Sequence, residues 1–343
     1  MTKQFFNKNI IFNFTVLTKI IVYFAIIDTK NTMRRYFSLL LIISYSTIVF
    51  SQQDPQFAHT MYNNLYTNPG YSGMDDGITV YAINRQQWVG FDGAPVTTLA
   101  GIHSKIKPFG IASGIGLVIS DDRFEFEKDF AAKLSYSYHK NFGRGKLGIG
   151  MSVGFINFDL SGSWSPPETP ASGDPYIPQE AVRKIVLDLN FGIFYQIKDK
   201  FYFGISTTHI NQPEIKYPGV TASFLRRHYY ATTGYNLRLL NSPIELKPSV
   251  FAEFDGTKLQ LSGNITGLYN KKFWLGVSYR NQDAIFPMAG VVLVNGLKVG
   301  YAYELSLSKM ITVSKGTHEV FLEYSFDIWK ANKNYKYKSI LYL

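Results

Sequence analysis

The sequence predicts an all-β chain: a transmembrane, antiparallel, up-and-down β-barrel of about fourteen strands, with short periplasmic turns and longer extracellular loops. Three observations predict it. Apolar and polar residues alternate with a period of two through repeated segments, which gives each one an apolar and a polar face. Many of these segments reach the length of a tilted membrane strand, about 9–11 residues or slightly more, whereas ordinary strands average about 5–6. After residue 51 no apolar run has the length of a membrane helix. Composition agrees. Of 343 residues 16% are aromatic and only 17% charged, with 24 Tyr, 27 Phe and 28 Gly. Soluble domains carry about 25% charged residues, and barrel girdles and lumens use the aromatics and glycines.

The N-terminus reads as two pieces. Residues 33–51 form a signal peptide, with Arg34 and Arg35 before the apolar run Phe37 to Phe50 and Ser51 at the cleavage end. Residues 1–32, with their own apolar stretch Ile10 to Ile27, read as an upstream extension from a translation start placed too early. Residues 52–76 precede the first strand as a periplasmic or lumen-filling segment. The barrel follows over 77–327, and 328–343 is a basic tail.

Strands are expected near 77–88, 95–106, 110–120, 126–140, 146–160, 183–197, 201–210, 223–239, 243–255, 257–267, 272–280, 285–294, 297–307 and 317–327. From Ile185 to Ile197 the odd positions read Ile, Leu, Leu, Phe, Ile, Tyr, Ile, against Val, Asp, Asn, Gly, Phe, Gln. The connections after even-numbered strands are tight: KPFG, NFGRGK, KDK, NSP, NKK and NG. Asn295-Gly296 is the strongest hairpin signal among them. The alternate connections include the longest, Ser161–Val182, Asn211–Ala222 and Ser308–Gly316, and only Asp255-Gly256 departs from this asymmetry. Two irregularities are expected. The apolar phase slips between Phe155 and Ile156, which predicts a bulge. Pro248 lacks an amide hydrogen, so its strand should bulge or end early.

The net charge of +10 comes from scattered Lys and Arg with no groove-reading cluster, so lipid headgroups and surface polysaccharide are the expected counter-charges and nucleic acid is not a partner. The absence of Cys removes disulfides, thiolate metal sites and cysteine catalysis. The six histidines (His59, His103, His139, His209, His228, His318) show no ligand spacing, and no nucleophile–base pattern stands out. No enzyme activity, cofactor or metal is expected.

The mature chain opens QQDPQFAHTMYNNLYTNPGYSGMDDGITVYAINRQQWVGFDGAPVTT. With Asp54 to Phe57, Asn68-Pro69 before Gly73, Arg85 with Gln87-Trp88, and Gly93 with Pro95, this resembles the PorP/SprF family, outer-membrane proteins linked to the type IX secretion system of Bacteroidota. LKPSVF, LGVSYR, VGYAYE and GTHEVFLEYSF extend the likeness over the mature chain. Glu304 and Thr317 stand where the family often has Asp and Ser. The resemblance implies an outer-membrane barrel that delivers or retains one secreted protein at the cell surface. The implied partners are outer-membrane lipids, a protein with a type IX C-terminal sorting domain, gliding adhesins among them, and periplasmic parts of the secretion system. The alternative is a passive porin for small solutes.

Candidate contact residues follow. Asp54, Pro55, Phe57, Asn68 and Pro69 lie in a segment read either as a plug or latch that touches the machinery or as simple lumen filling. Arg85, Gln87 and Trp88 close the first strand, where Trp is either an interface anchor or a binding hot spot. Trp164, Pro166 and Pro167 lie in a Pro-rich loop, a mobile exterior loop or a docking surface. Asp188, Arg238, Glu245, Lys247, Glu253, Arg280, Lys298, Glu304, Glu319 and Glu323 fall on lumen faces. Their mixed sign predicts a mutually satisfied lumen, not a selective channel.

Overall fold

Strand by strand, the period of two becomes two surfaces with opposite chemistry. Large apolar side chains such as Ile115, Leu117, Leu134, Tyr136, Met151, Val153, Leu187, Ile205, Leu261, Leu275, Val277, Leu305 and Leu322 are exposed on the outside. Their neighbours Ser113, Ser135, Ser137, Ser152, Asn190, Thr266 and Glu319 are buried on the inside. That inversion of the usual core is what a lipid-facing wall around a polar lumen requires. A computed structural model provides the structure, and it describes residues 54–160, 182–215, 223–293 and 296–326. The expected extension 1–32, signal peptide 33–51, tail 328–343 and loop residues Trp164, Pro166 and Pro167 lie outside the described residues.

The strands are β1 (Ile78–Gln86), β2 (Val96–Ile106), β3 (Ser113–Phe124), β4 (Glu127–Phe142), β5 (Gly145–Leu160), β6 (Val182–Ile197) and β7 (Phe201–Thr208). They continue as β8 (His228–Tyr235), β9 (Ile244–Phe254), β10 (Leu259–Tyr269), β11 (Phe273–Arg280), β12 (Ala284–Val292), β13 (Lys298–Ser306) and β14 (Thr317–Phe326). Each pairs antiparallel with its sequence neighbours, and β1 closes on β14 from Ile78↔Phe326 to Gln86↔His318. The two-residue piece Leu237–Arg238 continues β8 in unchanged register against β9, so the closed barrel has fourteen strands. Closure leaves no sheet edge to be satisfied in hydrocarbon. Among the described residues no helix is long and apolar enough to cross a membrane, which says nothing against strands doing so.

Four expectations need correction. First, β5 has no bulge: it stays in register with β4 from Glu127↔Leu160 to Phe142↔Gly145 and with β6 alongside. The apolar phase slips because Ile156 and Phe158 point inward and pack with Ala131 and Leu225. Second, Pro248 neither bulges nor ends β9, which pairs with β10 throughout. The missing donor shows instead as a lapse in the β8–β9 ladder, between Gly234↔Ser249 and Leu237↔Leu246. Third, 223–239 is not one strand. Ser223–Phe224 pairs with Glu214–Ile215 in a separate small ribbon, Leu225 turns into the lumen, and the wall resumes at His228. Fourth, more than one connection on the long-loop rim is tight. Glu125-Phe126 joins β3 to β4, because the ladder runs on through Asp121, Asp122 and Arg123, and Asn281–Asp283 joins β11 to β12. The sequence reading ended β3 too early by treating those charges as a loop. At a rim that leaves the lipid, charge is compatible with continued pairing.

Candidate functional site

Residues 54–76 run through the lumen before the chain turns into β1. A short 3-10 turn (Thr60–Tyr62), one turn of helix (Asn64–Thr67) and another 3-10 turn (Pro69–Tyr71) compact the path. Phe57, Tyr62, Leu65 and Tyr66 give it a buried apolar side, packed with Trp274, Phe286 and Phe321 from the wall. Tyr62 stacks on Phe321 with ring centroids 4.1 Å apart. Lys298 Nζ lies 5.3 Å from the centre of the same ring, a cation–π contact.

Polar contacts fix the segment along its length. Near the long-loop rim the Asp54 carboxylate accepts from Tyr230 Oη at 2.8 Å and meets His209 Nε2 at 3.0 Å. Gln56 donates to Glu253 at 3.1 Å, and Arg280 donates to the Phe57 carbonyl at 3.2 Å. Glu319 accepts the backbone amides of Ala58 and His59, at 2.7 and 2.9 Å, and faces His59 Nδ1 at 2.7 Å. Midway, Asn68 donates to the carbonyls of Ile193 and Ile205, at 3.0 and 3.2 Å. A glycine strip on the inner wall lets this backbone come close. A Cβ on Gly192 would sit 2.1 Å from Asn68 Oδ1, and one on Gly148 would sit 2.2 Å from the Gly70 carbonyl oxygen. Near the tight-turn rim His139 Nε2 lies 2.9 Å from the Ser72 carbonyl, Lys146 donates to the Met74 carbonyl at 3.2 Å, and His103 faces Asp75 at 3.5 Å. The lumen is occupied along its length.

Asp76, two residues before the wall begins, bridges Lys105 at 3.3 Å and Lys198 across two tight turns. Partial burial opposes its ionisation, but the hydrogen bonds and charge of those lysines outweigh that and hold its carboxyl at about 2. A depressed carboxylate stabilises the fold above its unfolded value, about 3.9, and that contribution disappears as pH falls through the folded one. Acidifying from about pH 5 to about pH 2 should therefore lower the protection factors of the amides around Met74–Gly77, their exchange rates being taken relative to the intrinsic rate at each pH. Asp76→Asn should remove the part of that change due to this carboxylate. The effect should be modest because the pair is half exposed. An identical acid profile in the variant would reject the assignment.

The lumen-face charges sort into separate groups. Arg85 joins Glu304 and, at 3.3 Å, Glu319, with all three side chains buried. Lys298 pairs with Glu323 at 2.7 Å. Glu253 serves Gln56, while Arg280 serves Asp283 and Phe57. Asp188 holds Lys133 at 3.2 Å and His209 at 2.7 Å. Lys247 stands 3.9 Å from Glu245, and Arg238 is half exposed at the tight-turn rim, 3.6 Å from Glu245. Of the candidates at the end of β1, Arg85 is buried, while Gln87 and Trp88 belong to the connection beyond it. There the Trp88 backbone amide donates to Thr317 Oγ1 at 3.1 Å, and Val89 and Lys315–Gly316 hydrogen-bond as a ribbon. Pro55 lies beside Gln56 on a small pocket lined also by Tyr66, Tyr230 and Phe251.

Sequence reasoning missed Lys133, Trp274 and the histidine contacts. The alternation of β4 does place Lys133 on the face of Ala131 and Ser135. Trp274, from β11, is buried in the lumen at 1% exposure. Histidine spacing shows no convergence, whereas strand pairing brings His209 and His228 together against Asp54.

The family model described as "Type IX secretion system membrane protein PorP/SprF" matches residues 49–324, a span that includes the lumen segment and nearly all of the wall. The chain belongs to the PorP/SprF family. No curated protein gives a significant match. Among solved structures, this family member is similar in fold to the toluene transporter TbuX of Ralstonia pickettii, at 12% identity, covering 77% of this chain and 93% of that one, with a TM-score of 0.47. The outer-membrane protein Omp33 of Acinetobacter baumannii matches at 9% identity, 74% of this chain and 100% of that one, with a TM-score of 0.44. A FadL homologue from Pseudomonas aeruginosa matches at 11% identity, 77% and 94% coverage, with a TM-score of 0.42. As a PorP/SprF membrane protein built as a closed, even-stranded barrel with an apolar outer wall, the chain is an outer-membrane protein of the type IX secretion system. In such barrels the rim of tight turns faces the periplasm. The Asp54 end of the lumen segment therefore lies toward the cell exterior, and Asp76 toward the periplasm.

Proposed function

We propose that this PorP/SprF barrel is a plugged outer-membrane partner for one secreted protein, which it holds at the cell surface through its outer rim and not through an open pore. The observation that carries this reading is the lumen segment, fixed to the wall by buried hydrogen bonds and ion pairs from Asp54 to Asp76. A passive solute pore would have to displace that segment against all of these contacts. Family membership supplies the secretion setting. The docking element is the ribbon between the connections Gln87–Pro95 and Leu307–Gly316, with Trp88 at its base. It presents Phe91, Ile311 and Val313 exposed, apolar residues of the kind that mark protein contacts when they gather on a rim. The partner is a secreted protein carrying a type IX C-terminal sorting domain, a gliding adhesin being one such client.

The test compares the surface and secreted proteomes of a strain lacking the gene, the parent, and a strain carrying Phe91→Asp with Ile311→Asp. Loss of one large surface protein in the deletion and in the double variant, with other secreted proteins unchanged, is expected. If no protein is lost and uptake of a small solute falls instead, the partner reading fails and the barrel is a porin.

A further inference from the structure

We propose that Asp54, His209 and His228 form a site for a divalent transition-metal ion of the zinc type, which latches the outer end of the lumen segment to β7 and β8. One ligand atom from each of the three lies within 4.8 Å of the others. Ligand atoms about 2.0 Å from a tetrahedral zinc stand about 3.3 Å apart. Asp54 Oδ1 and His209 Nε2 are already 3.0 Å apart, so an ion need widen that gap by only a few tenths of an ångström.

Both imidazoles are oriented from behind. His209 Nδ1 is 2.7 Å from Asp188 Oδ1, and His228 Nδ1 is 3.0 Å from the Arg226 carbonyl oxygen. A proton held on Nδ1 leaves Nε2 as the free lone pair, the arrangement by which outer groups prepare histidines for metal. His228 Nε2 is buried with no hydrogen-bond partner, a costly state for an imidazole unless something coordinates it. The other charged groups are accommodated. Lys133 is neutralised by Asp188 at 3.2 Å, and Tyr230 and Thr208 hydrogen-bond the second Asp54 oxygen at 2.8 and 3.4 Å. Glu253 Oε1, 4.0 Å from His228 Nε2, is within reach of a fourth position. Two imidazoles and a carboxylate suit zinc over magnesium, which prefers all-oxygen octahedra. The site does not depend on which secreted protein the barrel serves.

The full chain, purified in detergent and treated with chelator, should take up about one equivalent of zinc chloride by calorimetry and none of magnesium chloride at the same concentration. Zinc should also slow chymotrypsin cleavage of the lumen segment. His228→Gln and Asp54→Asn should each weaken zinc binding at least about tenfold, whereas His139→Gln, at the opposite end of the lumen, should bind as the parent does. Heat-modifiable gel mobility reports whether each barrel is folded. Asp54 lies outside the wall, so its variant keeps the test alive if His228→Gln does not fold. Absence of zinc binding by the folded parent, or undiminished binding in Asp54→Asn, would overturn the site.

Discussion

Gly148→Leu should leave the wall assembled and unseat the lumen segment. The new Cβ would stand 2.2 Å from the Gly70 carbonyl oxygen and 3.0 Å from Ser137 Oγ. Gly70 has little room to retreat. Its carbonyl accepts from Ser137 at 3.1 Å, its amide is tied to Asn68 Oδ1 at 2.9 Å, and Asn68 is anchored to two wall carbonyls. Overpacking of ordinary cores costs about 1–3 kcal/mol. A backbone-on-backbone collision with no flexible side chain to yield belongs at or above the top of that range. The lumen segment contains no Lys or Arg but has Phe57, Tyr62, Tyr66 and Tyr71, so chymotrypsin is the suitable probe. Rapid cleavage there, in a barrel that still shows heat-modifiable mobility, together with new conductance in planar bilayers, is the expected result. Gly263→Leu is the control, because its Cβ would meet nothing within 4 Å. If the two variants behave alike, the glycine strip does not seat the segment.

The second large effect concerns charge. Arg85→Met strips the guanidinium from Glu304 and Glu319, both buried. Removing one partner of a buried ion pair costs about 3–5 kcal/mol, because the carboxylate left behind has lost its compensation. Glu319 keeps two backbone amides and His59, so Glu304 should bear most of the loss. Arg85→Met combined with Glu304→Met should then recover a large part of the stability, as apolar replacement of a whole buried pair often does. Urea unfolding of the refolded barrels, arranged as a double-mutant cycle, measures this. Equal midpoints for the single and double variants would show that the pair carries no such coupling.

The wall was legible in the sequence because membrane strands must alternate and because turns and loops alternate with them. Even the misreadings concern local exceptions to that code. Ile156 and Phe158 are apolar yet inward, because Leu225 folds in to meet them. Pro248 withholds a donor without displacing its strand, since the ladder to β10 carries it. The interior was much less legible. Asp54 and His209 are 155 residues apart, and Ala58 and Glu319 are 261 apart. No local periodicity encodes such pairs. They follow only from barrel closure combined with the course of the lumen segment.

The occupied lumen also constrains the order of assembly. A chain pinned from Asp54 to Asp76 on many strands at once, with its backbone seated against wall glycines, cannot be threaded into a finished cylinder. The cylinder is therefore expected to wrap a preplaced mandrel, with the seam between β1 and β14, the pairing of greatest separation in sequence, closing last. Contacts from that mandrel to the closing strand, His59 on Glu319 and Tyr62 on Phe321, draw the final strand to its berth.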